Sequence, residues 1–129
     1  MALNDYFTGL QHVGIPAADL DKTVAFYEKL GFTKEGEFLY QGNRCAFMKY
    51  DNLMIETWEG DPTANADGAI NHISLNATDA AAALQEAKDM GLDLIDTEIQ
   101  TRPFWDKGIK FFNIYGPNHE KIEFCEIVK

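Results

Sequence analysis

Arginine is nearly missing from this chain: in 129 residues only Arg44 and Arg102 occur. Lys and Arg together number 11 against 21 Asp and Glu, a formal net charge of −10. A nucleic-acid backbone is held by clustered cations, so that class of partner is not expected. An anionic substrate would have to rely on a few local cations. Cysteine is scarce too. Cys45 and Cys125 are too few for a disulfide framework, and both fall in predicted strands. They are read as reduced thiols of a cytoplasmic protein. No apolar run reaches membrane-spanning length, and the N-terminus lacks a basic region followed by an apolar stretch. No membrane partner is expected. There is no low-complexity tract and no basic run.

What is present is a repeat. The apolar fraction of 46% provides for a sizeable core, and the length suits one compact domain better than two independent ones. A shift of sixty positions places Val13 on Ile73, Ile15 on Leu75, Asp19 on Asp79, Val24 on Leu84 and Gly31 on Gly91. His12 falls on His72. Glu56 and Glu123 are sixty-seven positions apart, because the second half has longer loops, including 116–120. Each unit reads as strand, helix and three strands. The first module covers about 8–59 and the second about 69–128. The Gly-, Pro-, Asp- and Asn-rich stretch 58–69 is the joint.

Asp19 is the expected N-cap of a first helix, with Leu20, Val24, Tyr27 and Leu30 on its inner face and Gly31 as the stop. Thr78 or Asp79 caps the second. Ala83, Leu84, Ala87 and Met90 face inward there, and Gly91 ends it. Alternation assigns faces in the strands. Val13 and Ile15 oppose His12 and Gly14, and Ile73 and Leu75 oppose His72 and Ser74. Leu53 and Ile55 oppose Glu56 and Trp58, and Ile122 and Phe124 oppose Glu123 and Cys125. Further strands are expected near 34–40, 44–50, 93–100 and 109–115.

Four residues carry a functional reading: His12 and Glu56 in the first half, His72 and Glu123 in the second. All lie on the face turned away from the helices. Their N and O donors would hold one divalent metal ion, with coordination positions left for substrate. A lone His in a strand is ordinarily structural. Two at equivalent repeat positions, each matched with a Glu, point to a shared role. Unpaired buried carboxylates are costly, which also favours a cation. His119, in a polar turn, reads as solvated. Cys125 reads as a cleft residue or a small filler, and Trp58 as a cleft wall or part of an interface. Glu35 and Glu37 read as surface carboxylates unless an epimerase needs a second base.

These residues resemble the vicinal-oxygen-chelate superfamily of glyoxalases, bleomycin-resistance proteins and dioxygenases. The carriers are Leu10-Gln11-His12-Val13-Gly14-Ile15, Ala25 to Phe32 and Met54-Ile55-Glu56 in the first half. In the second they are Ile70-Asn71-His72-Ile73-Ser74 and Gly116-Pro117-Asn118 leading to Lys121-Ile122-Glu123-Phe124. The His, Glu, His, Glu order is most similar to the short bacterial glyoxalase I (lactoylglutathione lyase). The resemblance implies a single glyoxalase-like domain over 1–129. It implies an α+β fold of two tandem βαβββ modules, forming a U-shaped mixed sheet around a metal site, and a homodimer. It also implies a metal-dependent lyase or isomerase that transfers a proton through a metal-bound enediolate. The substrate would be an α-hydroxycarbonyl or thiol hemiacetal. Glu123 would be the base and Glu56 the opposing ligand, with a second catalytic role. Ni or Co is favoured by the resemblance, and the donor set also suits Zn, Mn or Fe.

Two departures bear on the substrate. The position four after the first His, an Arg in the short bacterial enzymes, is Pro16. The position four after the first Glu, often Asn, is Gly60. Both argue against a glutathione carboxylate held in the usual way. The loop 102–108 offers Arg102, Phe104, Trp105 and Lys107 as substrate contacts. The competing readings are an epimerase of methylmalonyl-CoA type and a non-enzymatic binding module of bleomycin-resistance type. A dioxygenase commonly uses two His and one carboxylate, and Glu56 would fill a position it leaves open.

Overall fold

Alternating strands and two aspartate-capped helices give a strand, a helix and further strands in each half, with one more strand in the second. In the computed structural model, which describes residues 2–6 and 8–129, the chain divides into two compact units, Met1–Thr63 and Ala64–Lys129. Met1 and Phe7 lie outside the described residues. Each unit is α+β, one helix laid on one face of a mixed sheet. No helix among the described residues is long and apolar enough to cross a membrane.

The first unit runs β1 (Val13–Pro16), α1 (Leu20–Lys29), β2 (Thr33–Tyr40), β3 (Asn43–Tyr50) and β4 (Leu53–Trp58). The sheet order is β1-β4-β3-β2, with β1 parallel to β4 and the rest antiparallel. β1 is an edge strand, so Pro16 can close it without breaking an interior ladder. Gln41 and Gly42 both have positive φ, the conformation a two-residue hairpin turn requires between β2 and β3.

The inner face of α1 is rotated slightly from expectation. Leu20, Thr23 and Tyr27 are buried, while Val24 and Leu30 are only half-buried. Thr23 can go inside because its hydroxyl donates to the Asp19 carbonyl at 3.0 Å. Tyr27 packs edge-on against Phe32 at 5.2 Å, and Ala46, Met48 and Ile55 complete the core beneath.

The second unit runs β5 (Ile73–Asn76), α2 (Ala80–Asp89), β6 (Asp93–Leu94), β7 (Gln100–Arg102), β8 (Ile109–Tyr115) and β9 (Lys121–Ile127). The order is β5-β9-β8-β6, with β7 also paired to β8 and β5 parallel to β9. The expected single strand over 93–100 is two short ones. Asp96 breaks it: its carboxylate accepts from the Asn113 backbone N–H at 2.8 Å and from the Asn113 amide at 3.0 Å. A side chain thus takes the place of a ladder partner. Ala80, Leu84 and Ala87 of α2 are buried, and Phe112, Ile114 and Ile122 form the sheet side of the core.

Both helix starts follow the aspartates. Asp19 accepts from the Lys22 N–H at 3.2 Å and Asp79 from the Ala82 N–H at 3.0 Å. Each thereby satisfies one of the orphan donors of a first turn. Asp79→Ala is expected to cost about 1 kcal/mol, read as a lower midpoint in urea at unchanged slope. Asp79→Asn, which keeps the acceptor, should cost much less.

Candidate functional site

The two units present their candidate residues by the same strand logic. In the first, Gly14 pairs with Glu56 across β1 and β4. His12 lies one residue before β1 and, two before Gly14, on the same face. Its Nε2 is 3.6 Å from Glu56 Oε1, and the two side chains are 35% and 29% exposed, open to a ligand from solvent. A Cβ at Gly14 would lie 3.2 Å from the Trp58 ring, a tight contact that the ring would have to shift to accept. In the second unit Ser74 occupies the equivalent place and pairs with Glu123. The Ser74 hydroxyl donates to Glu123 Oε1 at 2.8 Å. His72 precedes β5 by one residue and shares a cleft with Glu123.

The residue before each His is an amide. The Gln11 side-chain oxygen is hydrogen-bonded to Nδ1 of His12, and Asn71 Oδ1 lies 2.9 Å from Nδ1 of His72. In the tautomer that donates Nδ1–H to that oxygen, the Nε2 lone pair is the donor. This is the outer support that metal-binding imidazoles need. The sequence pattern alone did not single out Gln11, Asn71 or Ser74. The signal that could have found the first two is an amide at the same offset before both histidines.

Each pair of donors suits a divalent cation in kind, and each lies open to solvent or in a cleft. Among the described residues, no three His, Cys, Asp or Glu side chains come together closely enough to hold a metal ion. The structure brings His12 together with Glu56, and places His72 with Glu123 in one cleft.

The cleft of the first unit, about 450 Å³, is walled by Phe38, Tyr40, Phe47 and Trp58 around Glu56 and Cys45. Trp58 is thus a cleft wall, its Nε1 donating to Asp61 at 2.6 Å. Asn43 fills the ground a side chain at position 60 would take: a Cβ on Gly60 would lie 2.5 Å from the Asn43 amide. Glu35 and Glu37 are exposed and do not line this cleft.

The cleft of the second unit, about 510 Å³, is lined by His72, Ser74, Glu123, Cys125, Phe111, Arg102 at the end of β7 and the loop residues Phe104 and Trp105. Lys107 does not line this cleft; it lines an adjoining depression of about 580 Å³ that shares Arg102, Trp105 and Ile109 with it. The Arg102 guanidinium sits 5.1 Å from the centre of the Phe111 ring. Arg44, by contrast, is engaged by Asp21 at 2.9 Å and Glu59 at 3.1 Å.

Both cysteines are free thiols. Burial pushes the Cys45 thiol up, and the nearby Glu56 carboxylate adds to it; Cys45 Sγ is 3.7 Å from Glu56 Oε2. Burial and then the Glu123 charge do the same to Cys125. Neither is a thiolate nucleophile at neutral pH. His119, expected to be solvated, is instead half-buried. Its ring lies tilted by 33° against Tyr115, with centroids 4.4 Å apart, and it contacts Asp67 at 3.2 Å. Lys121 also donates to Asp67, at 2.9 Å, and holds that carboxylate below its usual range.

Residues 11–112 match the family model of the glyoxalase/bleomycin resistance protein/dioxygenase superfamily. The chain belongs to that superfamily. It is 32% identical over 124 residues to the uncharacterized protein YwbC of Bacillus subtilis (strain 168), covering 91% of this chain and 96% of that one. Among solved structures, a glyoxalase family protein from Enterococcus faecalis superposes with a TM-score of 0.77 at 20% identity, over 94% of this chain and 99% of its own. The fosfomycin resistance protein FosX from Listeria monocytogenes gives 0.73 at 19% identity, over 95% of each chain. FosX has also been solved with Mn(II) and sulfate. At these identities the structural likeness concerns the fold.

Proposed function

We propose that this superfamily member is a metal-dependent lyase or isomerase of glyoxalase I type, acting on an α-hydroxycarbonyl or thiol hemiacetal. The observation that carries the reading is the duplicated half-set: an imidazole held at Nδ1 by the preceding amide, on the same sheet face as a glutamate. His12, Glu56, His72 and Glu123 would be the metal donors, the two pairs coming from one chain or from two copies in a homodimer. The Mn(II) complex of FosX supports a divalent ion as the group; Ni and Co are the first choices for this donor order. When bound, such an ion supplies Lewis acidity beside a carbonyl oxygen.

The chain's own residues do the rest. Glu123, oriented by the Ser74 hydroxyl, takes the proton from the acidic carbon and returns it to the neighbouring one. No atom is gained or lost. Glu56 lies against His12 and serves as the opposing ligand. Asn43, standing in for a side chain at position 60, offers a different contact from the one the glutathione-using pattern supplies.

The test is metal content per chain after stripping and reloading with Ni, Co, Zn, Mn and Fe. It is paired with solvent-deuterium uptake into candidate α-hydroxycarbonyls. About one ion per chain and deuterium in the product are the expected results. His72→Ala should remain folded and lose most of its metal. Full occupancy in that variant would place the site elsewhere, and no stoichiometric metal in the parent protein would leave a binding module in place of an enzyme.

A further inference from the structure

We propose that the cleft of the second unit takes a small carboxylic acid with a flat apolar body, its carboxylate on Arg102 and its body against Phe104 and Trp105. This names a substrate class for the site above and rests on that reading for the chemistry, but not for the binding.

The first observation is the state of Arg102. In a chain of net charge −10, a guanidinium would be expected to find a carboxylate, as Arg44 does with Asp21 and Glu59. Among the described residues Arg102 has no carboxylate partner. Its Nη1 donates to the Thr101 carbonyl at 2.7 Å, and the planar group lies over Phe111. A guanidinium held on an aromatic face keeps its remaining donors for a bidentate acceptor.

The second observation is the loop beside it. Phe104 and Trp105 are 55% and 74% exposed, and Trp105 has φ of +63°. A bulky residue rarely adopts that conformation, and such strain is concentrated at ligand-contacting positions. Two large apolar side chains are therefore held at the cleft, one of them against its backbone preference. Their exposed surface is available for a flat apolar ligand.

The third is spacing. Arg102 pairs with Ile109, and Glu123 pairs with Asn113, four residues along β8. The two backbones are therefore about 13 Å apart along the strand. Cation and base sit toward opposite ends of one cleft, whose volume of about 510 Å³ falls within the usual range for small-molecule sites. A ligand whose anion and reacting carbon lie at opposite ends matches that layout. The separation also keeps its charge away from Glu123.

The experiment is calorimetric titration of the purified full chain with phenylacetate, with phenylacetamide, which has the same body without the charge, and with acetate, which has the charge without the body. Phenylacetate is expected to bind about ten- to a hundredfold more tightly than the amide, and acetate to give no measurable heat. Arg102→Gln should erase the preference for carboxylate over amide while retaining the parent's circular dichroism and melting temperature. Trp105→Ala should weaken both aromatic ligands alike. Equal binding of phenylacetate and phenylacetamide, absence of phenylacetate binding, or an unchanged preference in Arg102→Gln would each overturn the proposal. If Arg102→Gln unfolds, Arg102→Lys, with a point charge in place of the fork, takes over; a carboxylate preference undiminished there would overturn bidentate recognition. Because binding heat needs no turnover, the two readings fail separately. Metal and deuterium uptake without carboxylate preference would remove only the substrate class. Carboxylate preference without metal would remove only the enzyme.

Discussion

Glu123→Gln is expected to lower turnover by about 10²–10⁴-fold, the range that a positioned proton carrier supplies. The change is nearly isosteric. The glutamine side-chain oxygen can still accept the Ser74 hydroxyl, which donates to Glu123 at 2.8 Å in the parent. The side chain is half-buried on the cleft face of β9, away from the apolar core under α2. Stability should therefore change little, and metal content should stay near that of the parent if the other three donors suffice. The decisive measurement is single-turnover deuterium exchange beside melting temperature and metal content. Exchange at the parent rate in Glu123→Gln would remove Glu123 as the base and transfer the role to Glu56. Loss of exchange together with loss of metal would make Glu123 a ligand first.

Phe112→Ala is expected to cost about 3–5 kcal/mol, the range for emptying a well-packed aromatic site. Phe112 is fully buried and stacks on Phe124 with ring centroids 4.9 Å apart and planes 12° apart. Both rings lie on the face of β8 and β9 that carries α2, with Ile114 and Ile122 paired beside them. Removing the ring leaves a cavity that two strands fixed by ladder hydrogen bonds cannot close. On a total stability of about 5–15 kcal/mol this is a large fraction, and the melting temperature should fall by roughly 10–20 °C. Phe104→Ala, at 55% exposure on the loop, is the control, with a change within about 0.5 kcal/mol. A loss below about 1 kcal/mol in Phe112→Ala would mean that the second unit's core is packed differently.

Features that depend on a residue and its near neighbours are legible in the order of amino acids alone. Asp19 and Asp79 mark the helix starts, and Gly31 and Gly91 follow the ends with φ of +106° and +71°. The period-two pattern puts Glu56 with Gly14, and Glu123 with Ser74, on the side away from the helices, as the register has it. The sixty-residue repeat points to two similar units, and the superfamily match agrees with the motif pattern. The burial of Thr23 escapes an apolar periodicity because a hydroxyl counts as polar there, although it is satisfied within one turn by the Asp19 carbonyl.

Other features depend on which strands become neighbours, and no local pattern encodes that. Asp96 splits a strand because Asn113, seventeen residues on, lies opposite it. Asn43 stands where a side chain at 60 would be, because β3 lies against the end of β4. His119 is half-buried because Asp67, fifty-two residues earlier, is brought beside it. Of two arginines equal in composition, Arg44 is bound to carboxylates and Arg102 lies on Phe111, a distinction made by the β7–β8 register. Trp105 lines both depressions beside the loop, whereas Lys107, two residues beyond it, lines only one. Most elements, the strand faces and the four candidate donors follow from the amino-acid order, because backbone propensity and side-chain alternation act over a few residues. Which charges are paired, which cleft each side chain lines and what fills the space of an absent side chain follow from tertiary contacts. Those contacts join residues far apart in the chain, and their energies exist only once the register is set.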